Sequence, residues 1–387
     1  MKLRIPLAKP EITDSDREAV MDVLRTPHLS SGPKVQEFEQ AICDYTGSKY
    51  AVAVNSGTSA LHVAVLALDL EPGAEVILPS FTFSALLNVI LQEGLQPKFV
   101  DIDPESYNAT PELIAAAVTE KTRLILAVHT FGIPADVPGI IRAISRGPSR
   151  AGCPRHTIQV IEDACEALGA QVGGRKVGTL GDAGLFAFYP NKQITTGEGG
   201  VQVTSDERVA RQARILRNQG RDPTLSWEDH AEIGFSYRLS DINCAIGISQ
   251  LKRIEHLMEK RQHLAESYDR RLCRVKDLIC PPLSNSIGRI SWFVYAVRLS
   301  SRFTRADRDW ICDSLARKGI ATGKYFAPLH RQPVLRSTQV KVSSLPNTEF
   351  VADRIIALPF FNELTATEIE EVSTMLEDSI HDCRRNT

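Results

Sequence analysis

The sequence predicts an α/β protein with a mostly parallel sheet covered by helices, followed by a smaller C-terminal α+β domain. Three observations support this prediction. Short apolar runs alternate with helical segments from about residue 30 to 240, the rhythm changes after Ser240, and a turn rich in glycine and threonine surrounds Lys192. Short apolar strands separated by helices are typical of parallel sheets covered on both faces. We place the boundary near residue 250, which gives a large domain with an N-terminal arm over residues 1–250 and a small domain over 251–387.

The composition is that of an ordinary globular protein. The chain has 387 residues, and its 45 basic and 47 acidic side chains give a formal net charge of −2. This balance gives no electrostatic reason to expect a nucleic acid or a membrane as partner. No apolar run is long enough to span a bilayer, and the N-terminal MKLRIPLAKP lacks the apolar core of a secretory signal. We therefore expect a cytoplasmic protein.

The eight cysteines form no CxxC pair and are accompanied by no histidine cluster. A zinc site is therefore not predicted, and neither is a site for any other metal. Cys244 and Cys312 lie in apolar runs, where a buried thiol behaves as a small hydrophobic group. This usage is typical of a reducing compartment.

Strands and helices alternate through the first part of the chain. We predict strands over residues 50–54, 75–78, 98–101, 124–128 and 158–162, and helices over 59–68, 84–93, 110–118 and 139–145. The polar segment 146–155, which contains two prolines, is predicted to be a surface loop.

The second part of the chain begins with a strand pair. An apolar, aromatic strand over residues 184–189 leads into a turn, and a second strand over 201–204 follows. From Ser240 one long helical stretch extends to about Val275, and a helix of this length can leave one domain and enter another. A strand over residues 292–299 and helices over 304–318 and 365–380 complete the small domain.

Lys192 lies in the turn between the two strands, within the sequence FAFYPNKQITTGEGG. An ammonium group is costly to desolvate, so a lysine at the mouth of a buried strand tends to lose its proton, and a neutral amine is a nucleophile. A lone loop lysine is more often a solvated side chain. The functional interpretation therefore depends on motifs elsewhere in the chain.

One such motif is NSGTS, residues 55–59, which follows the strand 50–54 and opens a helix. Backbone N–H groups and the helix dipole make this position an anion site, to which Ser56 and Thr58 add hydroxyls while Gly57 allows close approach. The alternative is a plain N-cap, because serine and threonine are preferred there in any helix.

Two further motifs follow strands. Glu162 and Asp163 lie at the end of the strand 158–162, at the sheet edge where open α/β proteins bind ligands, and a carboxylate there can hold a positive charge. It can equally cap the next helix. Phe83, in PSFTFSA, can stack on a flat ring or pack in the core. With Lys192 and the helix start, these motifs make up the parts of a pyridoxal 5′-phosphate (PLP) site.

These motifs resemble the DegT–StrS family of PLP-dependent nucleotide-sugar aminotransferases, which has the aspartate-aminotransferase-like fold and a PLP-transferase-like large domain. The resemblance extends over essentially the whole chain. It includes SSGPKVQEFE, NSGTSALH, PSFTFSA, IEDACEALGA, FAFYPNKQITTGEGG, RNQGRD, YRLSDINCAIGISQL, SWFVYAVRL, YFAPLH and ALPFF.

The resemblance implies a role for individual residues. Lys192 would bind the cofactor covalently, and Asp163 would pair with its ring nitrogen. The other implied positions are Ser56, Gly57 and Thr58 at the phosphate, Phe83 on the ring, Glu166 at the phenolic oxygen and His330 at the sugar pocket.

Two positions depart from the family pattern. Ala187 stands where the family often has a serine that donates to the phosphate, and Ser236 stands where it often has an asparagine from the partner subunit. An alanine cannot donate a hydrogen bond, and Ser236 is shorter than asparagine. Looser binding of the cofactor phosphate is therefore expected.

The resemblance further implies a homodimer with the site at its interface, so that Ser236 and Arg238 serve the partner's cofactor. Arg238 is a candidate for binding the donor carboxylate or the nucleotide phosphates. The alternative is a structural ion pair with a carboxylate such as Asp241.

The implied reaction moves an amino group, usually from glutamate, through pyridoxamine phosphate (PMP) to the keto sugar of a nucleotide-linked deoxysugar. Amination of a cyclitol ketone, and a non-catalytic regulatory PLP-binding role, stay open. Sugar dehydration is disfavoured, because in relatives with that activity histidine replaces the lysine found here as Lys192.

Overall fold

The computed structural model describes residues 3–146, 158–222, 224–226, 228–338, 340 and 342–386. After Arg146, the loop predicted over residues 146–155 lies outside the described residues. No helix within the described ranges combines the length and apolar character that crossing a bilayer requires.

A seven-stranded sheet forms the centre of the protein, and a two-stranded ribbon lies beside it. The strands up to residue 204 are β1 (Tyr50–Val54), β2 (Glu75–Pro79), β3 (Gln96–Val100), β4 (Thr122–Val128), β5 (Gln159–Asp163), β6 (Gln171–Val172), β7 (Arg175–Lys176), β8 (Ala183–Ala187) and β9 (Gly200–Thr204). The large sheet has the order β1-β9-β8-β5-β4-β2-β3, and β6 pairs with β7. Its strands are parallel except β9, which is antiparallel to both neighbours. The predicted mostly parallel sheet is confirmed.

Helices cover both faces of this sheet. They are α1 (Asp14–Leu24), α2 (Pro33–Thr46), α3 (Gly57–Leu66), α4 (Ala85–Gln92), α5 (Pro111–Ala117), α6 (Val137–Arg146), α7 (Glu207–Arg217) and α8 (Asp241–Leu251). Alternate residues of β1 point to opposite faces, because Ala51 and Ala53 belong to the apolar layer that contains α2, whereas Val52 and Val54 belong to the layer that contains α3. Two apolar layers therefore enclose the sheet.

A smaller antiparallel sheet follows, with the order β10 (Leu278–Ile279), β11 (Tyr295–Leu299) and β12 (Ile355–Leu358). The helices of this part are α9 (Ile254–Leu272), α10 (Arg305–Arg317), α11 (Pro346–Ala352) and α12 (Ala366–Asn386). Its apolar core also contains Ile5, which pairs with Ile320. The N-terminal segment therefore packs on the C-terminal sheet, while the division at residue 250 stays a prediction.

The single long helix predicted from Ser240 is wrong, because the structure has two helices separated at Lys252 and Arg253. Arg253 leaves helical geometry with φ −116° and ψ 16°. Its guanidinium donates to Glu11 at 2.6 Å and to Asp16 at 3.0 Å. These contacts with the N-terminal segment fix Arg253 at the break, although the apolar pattern continues across it.

Candidate active site

A cavity of about 350 Å³ lies beyond the carboxyl ends of β2, β4, β5 and β8. Seven of the predicted site residues line it together: Ser56, Gly57, Thr58, Phe83, Asp163, Glu166 and Lys192. Lys192 and Asp163 come from different strand ends, yet both face the same space. The structure thus brings together the amine and the carboxylate on which the functional interpretation depends.

The loop between β8 and β9 is held by its own threonines. The Thr195 hydroxyl donates to the Phe188 carbonyl at 2.9 Å and accepts the Gly197 N–H at 2.9 Å. Gly197 has φ +83°, a left-handed conformation that glycine adopts without strain. The TTG sequence therefore fixes the shape of the loop that carries Lys192.

Arg261 of α9 holds the backbone of Lys192. Its guanidinium donates to the carbonyls of Lys192 and Phe293, both at 3.1 Å, and to that of Trp292 at 3.3 Å. The residue is 3% exposed, and burial lowers the pKa of Arg261 to about 10, so it stays charged at neutral pH. Sequence reasoning missed this residue, because nothing in a helical pattern indicates which charged side chain turns inward.

The Lys192 amine lies between an aromatic ring and a carboxylate. Its Nζ is 4.1 Å from the centroid of the Phe293 ring and 3.7 Å from Glu166 Oε1. Glu166 also accepts the Phe131 N–H at 2.9 Å. Burial raises the pKa of Glu166, although Lys192 and the Phe131 N–H oppose the shift. The amine of Lys192 therefore has a titratable carboxyl group beside it, whereas a glutamine at position 166 would place an uncharged amide there.

The start of α3 forms one wall of the cavity. The Ser56 hydroxyl accepts the Ser59 N–H at 3.0 Å and the Ser56 carbonyl accepts the Ala60 N–H at 3.0 Å. Ser56 is therefore an N-cap, as its alternative interpretation held. Within the described residues, the N–H groups of Gly57 and Thr58 have no hydrogen-bond partner, so they remain available to an anion.

Gly57 is required by close packing. A Cβ at this position would lie 2.7 Å from the Ala187 Cβ and 3.3 Å from the Cys165 Sγ. Ala187 therefore faces the helix start directly, and it offers a methyl group where a hydroxyl would donate. Ala187, which departs from the family pattern, therefore lies in the wall of the cavity.

The two acidic residues at the end of β5 have different surroundings. Glu162 is fully buried and accepts the N–H groups of Gly178 and Gly181, both at 2.8 Å, so its role is structural. Asp163 points to the cavity and accepts only the Cys165 N–H, at 3.1 Å, among the described residues. Its second carboxylate oxygen is left for a ligand.

Aromatic residues complete the cavity. Phe83 is 58% exposed and Tyr189 is 52% exposed, which is unusual for large rings and leaves both available for contact with a ligand. Phe293, Tyr325 and Phe326 also line the cavity. Sequence reasoning missed these three, because they come from a part of the chain more than 100 residues beyond Lys192.

Ser236 and Arg238 do not line this cavity. Ser236 is exposed, and Arg238 donates to Asn218 Oδ1 at 3.1 Å. Asp241 does not pair with Arg238, because its carboxylate accepts the N–H groups of Gly32 at 2.8 Å and Lys34 at 3.0 Å. The ion pair offered as the alternative for Arg238 is therefore absent from the described contacts.

His330 is also not a lining residue. Its Nδ1 is hydrogen-bonded to the Ser80 hydroxyl at 2.7 Å and its Nε2 to Glu349 at 3.1 Å. Burial lowers the pKa of His330, with Glu349 opposing the shift. The histidine links the end of β2 to α11, and its assignment to a sugar pocket stays a prediction.

The residues of the cavity fit pyridoxal phosphate. The helix start offers two N–H groups to a phosphate, the exposed Phe83 offers a ring face, and Asp163 offers a carboxylate oxygen. In addition, the buried Asn191 Oδ1 lines the cavity without a hydrogen-bond partner, as expected beside a polar ligand.

Comparisons with solved structures agree with this geometry. The PMP form of a putative sugar aminotransferase from Streptococcus pneumoniae is 26% identical and has a TM-score of 0.91, with 98% of each chain covered. A Helicobacter pylori aminotransferase involved in the biosynthesis of pseudoaminic acid is 26% identical with a TM-score of 0.90, covering 98% of this chain and 99% of that one.

Sequence comparison extends the match. An uncharacterised protein of Methanocaldococcus jannaschii is 34% identical over 390 residues, with 98% of each chain covered. The model of the DegT/DnrJ/EryC1/StrS aminotransferase family matches residues 10–377. The chain is therefore a PLP-dependent aminotransferase that belongs to the DegT/DnrJ/EryC1/StrS aminotransferase family.

Proposed function

We propose that this aminotransferase moves an amino group from glutamate to the keto sugar of a nucleotide-linked deoxysugar in the cytoplasm. The observation that carries the proposal is that Lys192 and Asp163 line one cavity with the start of α3. The sugar aminotransferases among the similar structures support the substrate class, and the family resemblance supports glutamate as donor.

In this proposal the start of α3 binds the phosphate, and Phe83 orients the ring. Asp163 holds a proton on the ring nitrogen, because a carboxylate in contact favours the protonated form. When bound, PLP supplies an electron sink for the pair released from the donor's Cα–H bond. Lys192 would move the proton released from the donor's Cα, acting first as base and then as acid.

Replacing Lys192 tests the assignment of the amine. Lys192→Ala is expected to abolish turnover and the absorbance of the lysine-bound cofactor, because no other lysine lines the cavity among the described residues. Lys176→Ala is the control, since Lys176 contacts Tyr45 and Glu255 instead. Full transamination by Lys192→Ala would refute the assignment.

A spectroscopic experiment separates the proposal from the non-catalytic alternative. Glutamate added to the yellow protein should convert it to the PMP form. No spectral change with any amino-acid donor would favour a regulatory role. Keto sugar nucleotides and cyclitol ketones, offered in turn to the PMP form, would distinguish the two substrate classes.

We further propose that the site is completed by a second subunit. Ser236 and Arg238 lie outside the cavity of their own chain, as expected if they serve the partner's cofactor. Close by, Ile233 is 90% exposed and Leu225 is 51% exposed, so this segment offers apolar surface to an interface.

A further inference from the structure

A cluster of metal-ligating side chains lies outside the candidate active site. Asp269 lies in the last turns of α9, Cys273 caps that helix, and Cys280 directly follows β10. One ligand atom from each residue lies within 4.8 Å of the other two. The Cys273 thiol donates to Asp269 Oδ1 at a distance of 2.7 Å. Two sulfur atoms and a carboxylate oxygen therefore converge on one point.

A buried hydroxyl adds an independent observation. Tyr295 of β11 is fully buried, and its hydroxyl has no hydrogen-bond partner among the described residues. Continuing the register from the pair Ile279–Arg298 places Cys280 opposite Val297, so Tyr295 lies on the same face of the sheet as Cys280. The thiol of Cys280 lies next to this hydroxyl. A buried hydroxyl that makes no well-formed hydrogen bond beside a thiol of the cluster is a group that a bound ion could satisfy.

We propose that Asp269, Cys273 and Cys280 form a zinc site, with the Tyr295 hydroxyl at or next to the fourth coordination position. Zinc accepts sulfur and carboxylate oxygen in tetrahedral geometry. Thiolates disfavour magnesium and calcium, which take oxygen ligands. The sequence shows no CxxC pair, because the ligands come from a helix end and a strand end that meet only in the fold.

Binding at this site requires two thiols to ionise. The ligand of zinc is a thiolate, so Cys273 and Cys280 must each lose the thiol proton when the metal binds. Each S–H bond is replaced by a Zn–S bond and one proton leaves to solvent per thiol, with no electron transfer. The metal would connect the end of α9 to the end of β10. The ring of Tyr268 in α9 already stacks on the ring of Tyr295 in β11, with 5.0 Å between the ring centroids.

The test uses the full-length, cofactor-loaded protein without a histidine tag, kept reduced and stripped of metal. Zinc is titrated against a chromogenic chelator, and one tightly bound ion per chain is expected. Cys273→Ser and Cys280→Ser should each lose this site, and Tyr295→Phe should weaken it about tenfold. Cys43→Ser is the control, because Cys43 packs against a different core. The absorbance of the bound cofactor verifies that each variant is folded.

Cobalt gives a second readout. The Co²⁺ protein should show thiolate charge-transfer absorption, and each serine variant should lose about half of it, since two sulfurs are bound. Reduced protein that binds no zinc, or a charge-transfer band unchanged in both serine variants, would overturn the site. The site would also be overturned if Cys273 and Cys280 form a disulfide in the isolated protein and the protein still binds no zinc after that disulfide has been reduced. Unchanged zinc affinity in Tyr295→Phe would overturn the assignment of the tyrosine.

Discussion

At the scale of single residues, we expect Ala187 to weaken the binding of the cofactor phosphate. Its methyl group faces Gly57 at the start of α3, where a serine hydroxyl would reach a bound phosphate. We predict that Ala187→Ser lowers the dissociation constant for PLP by at least about tenfold, since a hydrogen bond to a charged group contributes about 1.5–3 kcal/mol. Equilibrium dialysis or absorbance titration measures the effect.

The control for this prediction is Ala85→Ser. Ala85 lines the same cavity, so this variant adds an identical hydroxyl to another part of the wall. Its PLP affinity should equal that of the parent protein. Unchanged or weaker binding in Ala187→Ser would show that the phosphate does not lie beside residue 187.

Glu166 should make stability depend on pH. Because burial raises its pKa above the ordinary value of 4.5, the folded protein binds this proton more tightly than the unfolded chain does. Ionised Glu166 therefore lowers the free energy of unfolding at neutral pH, and this loss disappears as the pH falls below about 4.5. We predict that Glu166→Gln stabilises the cofactor-free protein at pH 7 and that the difference vanishes in acid.

Urea unfolding at several pH values tests this prediction. The amide oxygen of glutamine can still accept the Phe131 N–H, so the change removes only the charge. Glu198→Gln is the control at an exposed lining residue and should alter stability by less than about 0.5 kcal/mol. A Glu166→Gln protein less stable at pH 7 than the parent would contradict the expectation.

At the scale of elements, α9 supports the lysine loop through Arg261. We predict that Arg261→Met lowers the free energy of unfolding by about 3 kcal/mol, because buried carbonyls lose a charged donor. The turnover number should fall more than substrate affinity, since Lys192 loses its backbone support. Arg261→Lys, which keeps the charge, should recover part of both losses.

Arg271→Met on the same helix provides the matched control. Arg271 pairs with Glu370 at 3.3 Å at the surface, and such pairs contribute less than about 1 kcal/mol. If both methionine variants lose the same stability and keep full turnover, the contacts of Arg261 with the loop have no special role.

At the scale of the whole molecule, a shared site predicts complementation between inactive subunits. In the homodimer that we propose, Lys192→Ala and Arg238→Ala are each expected to impair activity. A mixed dimer would keep one intact site, formed by Lys192 of one subunit and Arg238 of the other. Random mixing of equal amounts should restore about a quarter of the sites. Activity no greater than the sum of the separate variants would show that Arg238 does not serve the site of the partner subunit.

The sequence predicted those site residues that directly follow a strand along the chain. Lys192, Asp163 and the start of α3 follow strands, and parallel strands place their carboxyl ends at one edge. Phe293, Tyr325 and Arg261 were not predicted, because a cavity wall from a distant part of the chain leaves no periodic signal. The helix break at Arg253 was missed for a similar reason, since Glu11 and Asp16 are its partners.

Helix α9 also has a consequence for how the protein melts. Its first turns, with Ile254 and Leu257, belong to the apolar layer under the large sheet, and its last turns, with Tyr268 and Leu272, belong to the core of the C-terminal sheet. If α9 detaches from either core, apolar side chains of both cores become exposed to water. Heating the cofactor-free protein should therefore give a single calorimetric peak, with no separate transition for either core.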